Sequence, residues 1–219
     1  DGDEDIFIAN GHRSGSTCRD YCTVFWRHDI YMGDSKEDPL VESFFNESLG
    51  ELLAGMSWNG FEHNVLFLNG GKGAFENIAF LMGMSHEYDS RGAVSEDLDG
   101  DGRSDLLVIQ QSIGSGPGAR QKLHVYRNKW PAGNHWLGVR LRGGPGVSPI
   151  GSKITVRYEG NTDVLPVVTG DSLNAQHSNT KLFGLGQATA VESVEVRWPN
   201  GKVTRLKNPA IDRYHLLQP

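Results

Sequence analysis

Asp97-Leu98-Asp99-Gly100-Asp101-Gly102-Arg103-Ser104-Asp105 runs directly into Leu106-Leu107-Val108-Ile109. Carboxylates hold the first, third, fifth and ninth positions of this loop, and a glycine holds the sixth. Side chains two apart on a tightly curled loop can converge on one point. Four carboxylates crowded together repel one another unless a cation compensates them. A hard cation that takes six to eight oxygen ligands suits such a loop, and calcium is that ion. Gly102 permits the sharp turn after the third ligand, where a Cβ would be costly. Arg103, at the seventh position, offers only its backbone carbonyl. The expected ligands are therefore Asp97, Asp99, Asp101, the Arg103 carbonyl and Asp105.

Two features separate the loop from an EF-hand. Val108 stands at the twelfth position in place of a glutamate, and the run that follows has a strand pattern, not a helical one. Asp105 must then close the site. The phrase recurs at the N-terminus, where Asp1-Gly2-Asp3-Glu4-Asp5-Ile6-Phe7-Ile8 aligns with Asp101 to Val108. Asp1, Asp3 and Asp5 form a partial second loop that lacks its first two ligands. The expectation is a fragment of a longer protein, with the upstream part, on the same or a separate chain, as a partner. A loop and strand repeated about a hundred residues apart mark a repeat architecture.

The chain has 219 residues, enough for one large or two small domains. Its net charge of -6 argues against nucleic acid as a partner. Twenty-eight glycines suit many turns between short strands. No apolar run is long enough to span a bilayer. Cys18 and Cys22 are the two cysteines. A disulfide closing this short loop suits a protein outside the cytoplasm. A metal pair with His12 or His28 is the alternative. Asn46-Glu47-Ser48 is a glycosylation sequon if the source is eukaryotic.

Residues 5–9 read as a strand, and residues 10–40 as a long irregular loop stapled by the cysteines, of a kind that is often functional. Val41, Phe44, Phe45, Leu49, Leu52, Leu53 and Met56 follow helical spacing and predict an amphipathic helix whose aromatics enter the core. Val65–Asn69 and the residues around Phe75 read as a hairpin, with Asn69-Gly70 as its turn. Strands follow at 89–96, 106–110 and 122–128, with a glycine break at 114–118. Leu66-Phe67-Leu68-Asn69, Asp97-Leu98-Asp99-Gly100-Asp101-Gly102 and Val125-Tyr126-Arg127-Asn128, in that order, resemble one unit of the FG-GAP/VCBS repeat. That family builds β-propellers whose calcium loops crosslink two strands of a blade, so the resemblance implies a structural ion.

Beyond Asn134 the pattern changes. Leu137, Val139 and Leu141 alternate with polar residues, as do Ile154, Val156 and Tyr158. Pro166 marks the strand at 164–168 as an edge. Residues 194–206 form a hairpin around Asn200-Gly201. About six strands and no helix predict a small antiparallel sandwich or barrel. Asn134-His135-Trp136-Leu137, Ile150 to Val156, Phe183-Gly184-Leu185-Gly186 and Val194 to Gly201 resemble the ASPIC/UnbV domain. The two resemblances together are similar to the C-terminal part of bacterial cartilage-acidic-protein-like proteins, a family that includes secreted proteins and proteins encoded beside enediyne biosynthesis genes. The expected fold is all-β: a partial propeller over 1–130, with a loop and helix insertion at 10–60, and a small antiparallel β-sandwich over 134–219.

Gly170 to Thr180 is the most polar stretch of the second half. Asp171, Ser172, Gln176 and His177 read as a loop that bonds its own backbone, with a ligand or partner surface as the alternative. Asp171, Ser172 and His177 lie within seven positions, whereas a triad needs partners held by separate elements. A transition-metal site using His177 is a further alternative. Arg140, Arg142, Arg157, Arg197 and Arg205 fall on outward strand positions. The functional expectation is a calcium-binding scaffold or binding protein with a protein or small-molecule ligand, secreted, periplasmic or on the cell surface. An enzyme or ligand-binding accessory protein of secondary metabolism is the alternative; no catalytic constellation is read in this chain.

Overall fold

A computed structural model describes residues 2–23, 38–71, 73–111 and 121–219. Asp1, His28, Lys72, the glycine break at 114–118 and the side chain of Val41 lie outside the described residues. The chain is mostly β, in several small antiparallel sheets. In chain order the elements are β1 (Ile6–Ile8), α1 (Pro39–Leu53), β2 (Val65–Asn69), β3 (Phe75–Asn77), β4 (Ser90–Glu96), β5 (Asp105–Gln110), β6 (Lys122–Tyr126), β7 (His135–Leu141), β8 (Lys153–Tyr158), β9 (Asn161–Pro166), β10 (Thr180–Gly186), β11 (Ser193–Arg197), β12 (Val203–Lys207) and β13 (Tyr214–Leu217). The sheet orders are β1-β2-β3, β4-β5-β6, β10-β7-β13 and β12-β11-β8-β9. Contacts divide the chain into two compact units. One is Asp5–Gly92 with Val108–His124, and the other is Asp1–Glu4, Ala93–Leu107 and Val125–Pro219.

In the first unit β1 and β2 pair antiparallel with Phe7 opposite Leu66. The β2–β3 connection is longer than an Asn-Gly corner. Gly70 N donates to Ala74 O at 2.8 Å, and the positive φ falls at Gly71 and Gly73, not at Gly70. Helix α1 starts with Asp38 as N-cap, its side chain accepting from Leu40 N at 2.8 Å, and with Pro39 in the first turn. Its buried stripe runs through Ser48 and Leu52, while Phe44, Leu49 and Leu53 stay exposed. Spacing alone does not say which of two adjacent apolar stripes faces inward.

Residues 10–20 are held by side-chain hydrogen bonds. Buried Asp89 accepts from Ser14 N at 2.7 Å and Ser14 Oγ at 2.8 Å. Asn64, also buried, accepts from Asn10 N and donates to Ser90 Oγ. Arg91 donates to the carbonyls of Gly11 and His12. The disulfide expected between Cys18 and Cys22 is not formed; both are free thiols. Ser57 does the stapling instead. Its hydroxyl donates to Thr17 O at 2.6 Å and accepts from Gly15 N at 2.8 Å, and its carbonyl accepts from Tyr21 N at 2.7 Å. Cys22 N is engaged by Asp20 Oδ1 as residues 21–23 turn helical.

The second unit is built on two sheets that share one apolar cluster. Leu137, Val139 and Leu141 of β7 meet Ile154 and Val156 of β8, Phe183 and Leu185 of β10 and Val194 and Val196 of β11. Burying each such side chain contributes about 1.5–3 kcal/mol. Trp198 is fully buried, and its Nε1 donates to Thr204 Oγ1 at 2.9 Å. This closes the β11–β12 hairpin, whose Gly201 takes φ 82. Residues 134–219 hold seven strands. The one missed by sequence pattern is β13, which is short and joins β7 in parallel. The five expected surface arginines are exposed. No described helix is long and apolar enough to cross a membrane.

Candidate metal centre and adjoining cavity

The acidic loop connects β4 to β5 in the second unit. Its curl comes from Asp97, whose two oxygens collect four donors. Oδ1 accepts from Gly100 N at 2.8 Å and Asp101 N at 3.1 Å, and Oδ2 accepts from Gly102 N at 2.8 Å and the Tyr214 hydroxyl at 2.5 Å. Burial alone would raise the Asp97 pKa; the four hydrogen bonds outweigh it and hold the carboxyl below its usual range. Gly102 adopts φ 84, and a Cβ there would lie 2.1 Å from Trp136 Nε1. Glycine is thus demanded by the backbone and by the indole pressed against it. Asp105 ties the loop's ends together, accepting from Leu98 N at 3.0 Å and Asn128 N at 2.8 Å.

Asp97, Asp99 and Asp105 each place one carboxylate oxygen within 4.8 Å of the others. Ligand oxygens lie about 2.3–2.6 Å from a calcium ion, so two on one ion are at most about 5 Å apart. The spacing fits such a cation. A carboxylate has about four acceptor sites. Asp97 has all of them in use, whereas Asp105 uses one per oxygen. Asp99 Oδ2 pairs with Arg127 at 2.5 Å. Asp101 is turned aside, to the guanidinium and the N–H of Arg103. Any ion at this centre displaces one of the four donors on Asp97, competes with Arg127 for Asp99, and gains Asp101 only if Arg103 releases it. Of the N-terminal residues, Asp5 accepts from Asn69 N at 2.8 Å. Asp3 and Asp5 join no convergent acidic group among the described residues.

Tyr214 and Trp136 carry the loop on the β10-β7-β13 sheet. Their rings meet edge-on at 5.0 Å, Arg140 stands 4.1 Å over the Tyr214 ring, and a Cβ on Gly138 would strike that ring at 2.1 Å. Burial, then the bond to Asp97, pushes the Tyr214 hydroxyl well above the usual phenol range, so it is a donor at any physiological pH. Tyr214 carried no motif; its role depends on a contact 117 residues distant in sequence.

Beside Tyr214 lies a cavity of about 250 Å³, lined among others by Ser95, Glu96, Asp171, His177 and Lys181. His177 Nδ1 pairs with Asp171 Oδ2 at 3.0 Å, and His177 Nε2 accepts from Ser95 N at 3.1 Å. The proton is therefore on Nδ1, and neither ring nitrogen is open for a transition metal. Burial works to raise the Asp171 pKa, but the His177 amide and ring more than offset it and leave it lowered. Ser95 Oγ lies 3.4 Å from His177 Nε2. The arrangement has the order of a serine–histidine–aspartate triad, with serine from a separate strand. The Ser95 amide is nearer and takes the lone pair a general base needs. Ser172 Oγ accepts from Ala93 N at 3.1 Å, and Gln176 is exposed. The loop expected to bond its own backbone does so through two side chains, from His177 N to Asp171 at 3.1 Å and from Thr180 N to Ser178 Oγ at 3.0 Å; Ser172 and the His177 ring also bond β4.

Residues 145–219 match the family described as ASPIC and UnbV. This stretch holds β8 to β13 and includes Asp171, His177, Lys181 and Tyr214. The Asn134-His135-Trp136-Leu137 phrase lies before it. There Asp212 ties the phrase to the matched stretch, accepting from Trp136 N at 3.1 Å and pairing with His135 at 2.8 Å. Among curated proteins nothing matches the chain.

Proposed function

We propose that the Asp97–Asp105 loop binds calcium in a structural role, in a protein that acts outside the cytoplasm as a scaffold or binding module. The observation that carries this reading is the convergence of Asp97, Asp99 and Asp105 within 4.8 Å on the loop between two neighbouring strands. A divalent ion there neutralises carboxylates and fastens β4 to β5. Asp101 and the Arg103 carbonyl join the shell once Asp101 leaves the Arg103 guanidinium. The consecutive strands β4-β5-β6, with the loop between the first two, suit part of an FG-GAP/VCBS propeller blade, and β1-β2-β3 suits part of another. Free calcium is scarce in cytosol, which favours a secreted, periplasmic or cell-surface site. An upstream part of the same protein, and a protein or small-molecule ligand, are the partners this reading calls for.

Thermal melting with calcium and with chelator tests it. The melting temperature rises with calcium in the natural chain and is insensitive to it in Asp99→Ala; identical curves with calcium and chelator refute the reading. The cavity beside Tyr214 favours ligand binding as a second activity. It does not favour catalysis, because His177 Nε2 is occupied by the Ser95 amide.

A further inference from the structure

We propose that this cavity binds a small zwitterion, an amino acid or a compound of like charge pattern; the inference rests on the ligand-binding reading of the cavity and is independent of calcium. Glu96, at the end of β4, and Lys181, in β10, both line it and are both half-buried. Beyond the backbone pairing of their strands, neither side chain makes a hydrogen bond or an ion pair with another described residue, and the two do not pair with each other. The other charged groups of the lining are engaged: Asp97 by four donors, and Asp171 and His177 by each other.

What remains open to a ligand is one anion and one cation across about 250 Å³, a space several times the roughly 30 Å³ share of a water molecule. A ligand ammonium on Glu96 and a ligand carboxylate on Lys181 form charge-assisted hydrogen bonds with both. A ligand with a single charge answers one and leaves the other. Leu165 and Leu182 supply apolar lining for a short side chain, and Thr180 and Ser104 border the same space.

Titration calorimetry of the whole chain, with calcium and with chelator, compares L-alanine with three smaller probes: its singly charged fragments ethylamine and propionate, and the neutral 1,2-propanediol. The expected result is that L-alanine binds roughly tenfold or more tighter than each of the others. Glu96→Gln abolishes that advantage over propionate, and Lys181→Gln abolishes it over ethylamine, both with melting curves like the parent's. Equal binding of L-alanine and 1,2-propanediol, unchanged in both variants, overturns the zwitterion assignment and leaves the ligand-binding reading standing. No heat from any probe overturns both.

Discussion

Tyr214→Phe deletes one hydroxyl and leaves the ring, its edge-on contact with Trp136 and the Arg140 guanidinium above it. The lost bond runs at 2.5 Å to Asp97 Oδ2, on a residue only 8% exposed. Hydrogen bonds to charged groups contribute about 1.5–3 kcal/mol. Asp97 keeps three backbone donors, which places the loss at the lower end, about 1.5–2 kcal/mol. For a chain of this size that lowers the melting temperature by roughly 3–8 °C. Calorimetric melting of the parent, Tyr214→Phe, Asp97→Asn and the double variant measures it. The pair should couple by at least about 0.5 kcal/mol, as contacting residues do. The pH dependence follows from Asp97, whose folded pKa is lowered by its donors against the raising effect of burial. The contribution is complete above the pKa of an unfolded aspartate and fades as pH falls through the lower, folded value. If Tyr214→Phe melts like the parent, or loses as much in the Asp97→Asn background, the contact does not hold the loop.

Three further outcomes are expected. Gly102→Ala forces a Cβ into the Trp136 ring at a φ that alanine resists, and costs about 2–4 kcal/mol in urea unfolding. Arg127→Ala frees Asp99 from its guanidinium and tightens calcium binding in a calorimetric titration; weaker binding would mean that the arginine orients the loop. His124 stacks on Tyr88 at 4.6 Å and pairs with Gln110 at 2.8 Å. Burial, then Lys122, lowers its pKa. The unfolded chain therefore takes up the proton first, and stability falls as pH drops below about 6.5 until the folded value is passed. His124→Gln should flatten that part of the pH–stability curve.

Much of the architecture was legible because it is local. The alternation in Val194–Trp198 and Ile154–Tyr158 reports burial on one face, and those side chains are the buried ones. Asn200-Gly201 marks its own turn. Strand β13 was not legible, since four residues in parallel pairing leave no alternation to count. The exposed side of α1 was not legible either, because Ser48 sits in the buried stripe and Leu49 outside it. Cys18 and Cys22 form no disulfide; Ser57 ties that segment, and nothing near Cys18 announces a serine about forty residues away. At the acidic loop the carboxylate spacing and Gly102 were readable. The arginines that hold Asp99 and Asp101, and the tyrosine that holds Asp97, belong to folded geometry. His177 and Asp171 were readable as polar, but their orientation depends on the Ser95 amide of another strand.

The most direct test of the account is a calcium titration of the chelator-stripped chain, followed by calorimetry, beside Asp99→Ala and Asp105→Asn. The account predicts saturable binding in the natural chain that both variants lose while remaining folded. Absence of binding, or binding that survives both substitutions, would contradict it.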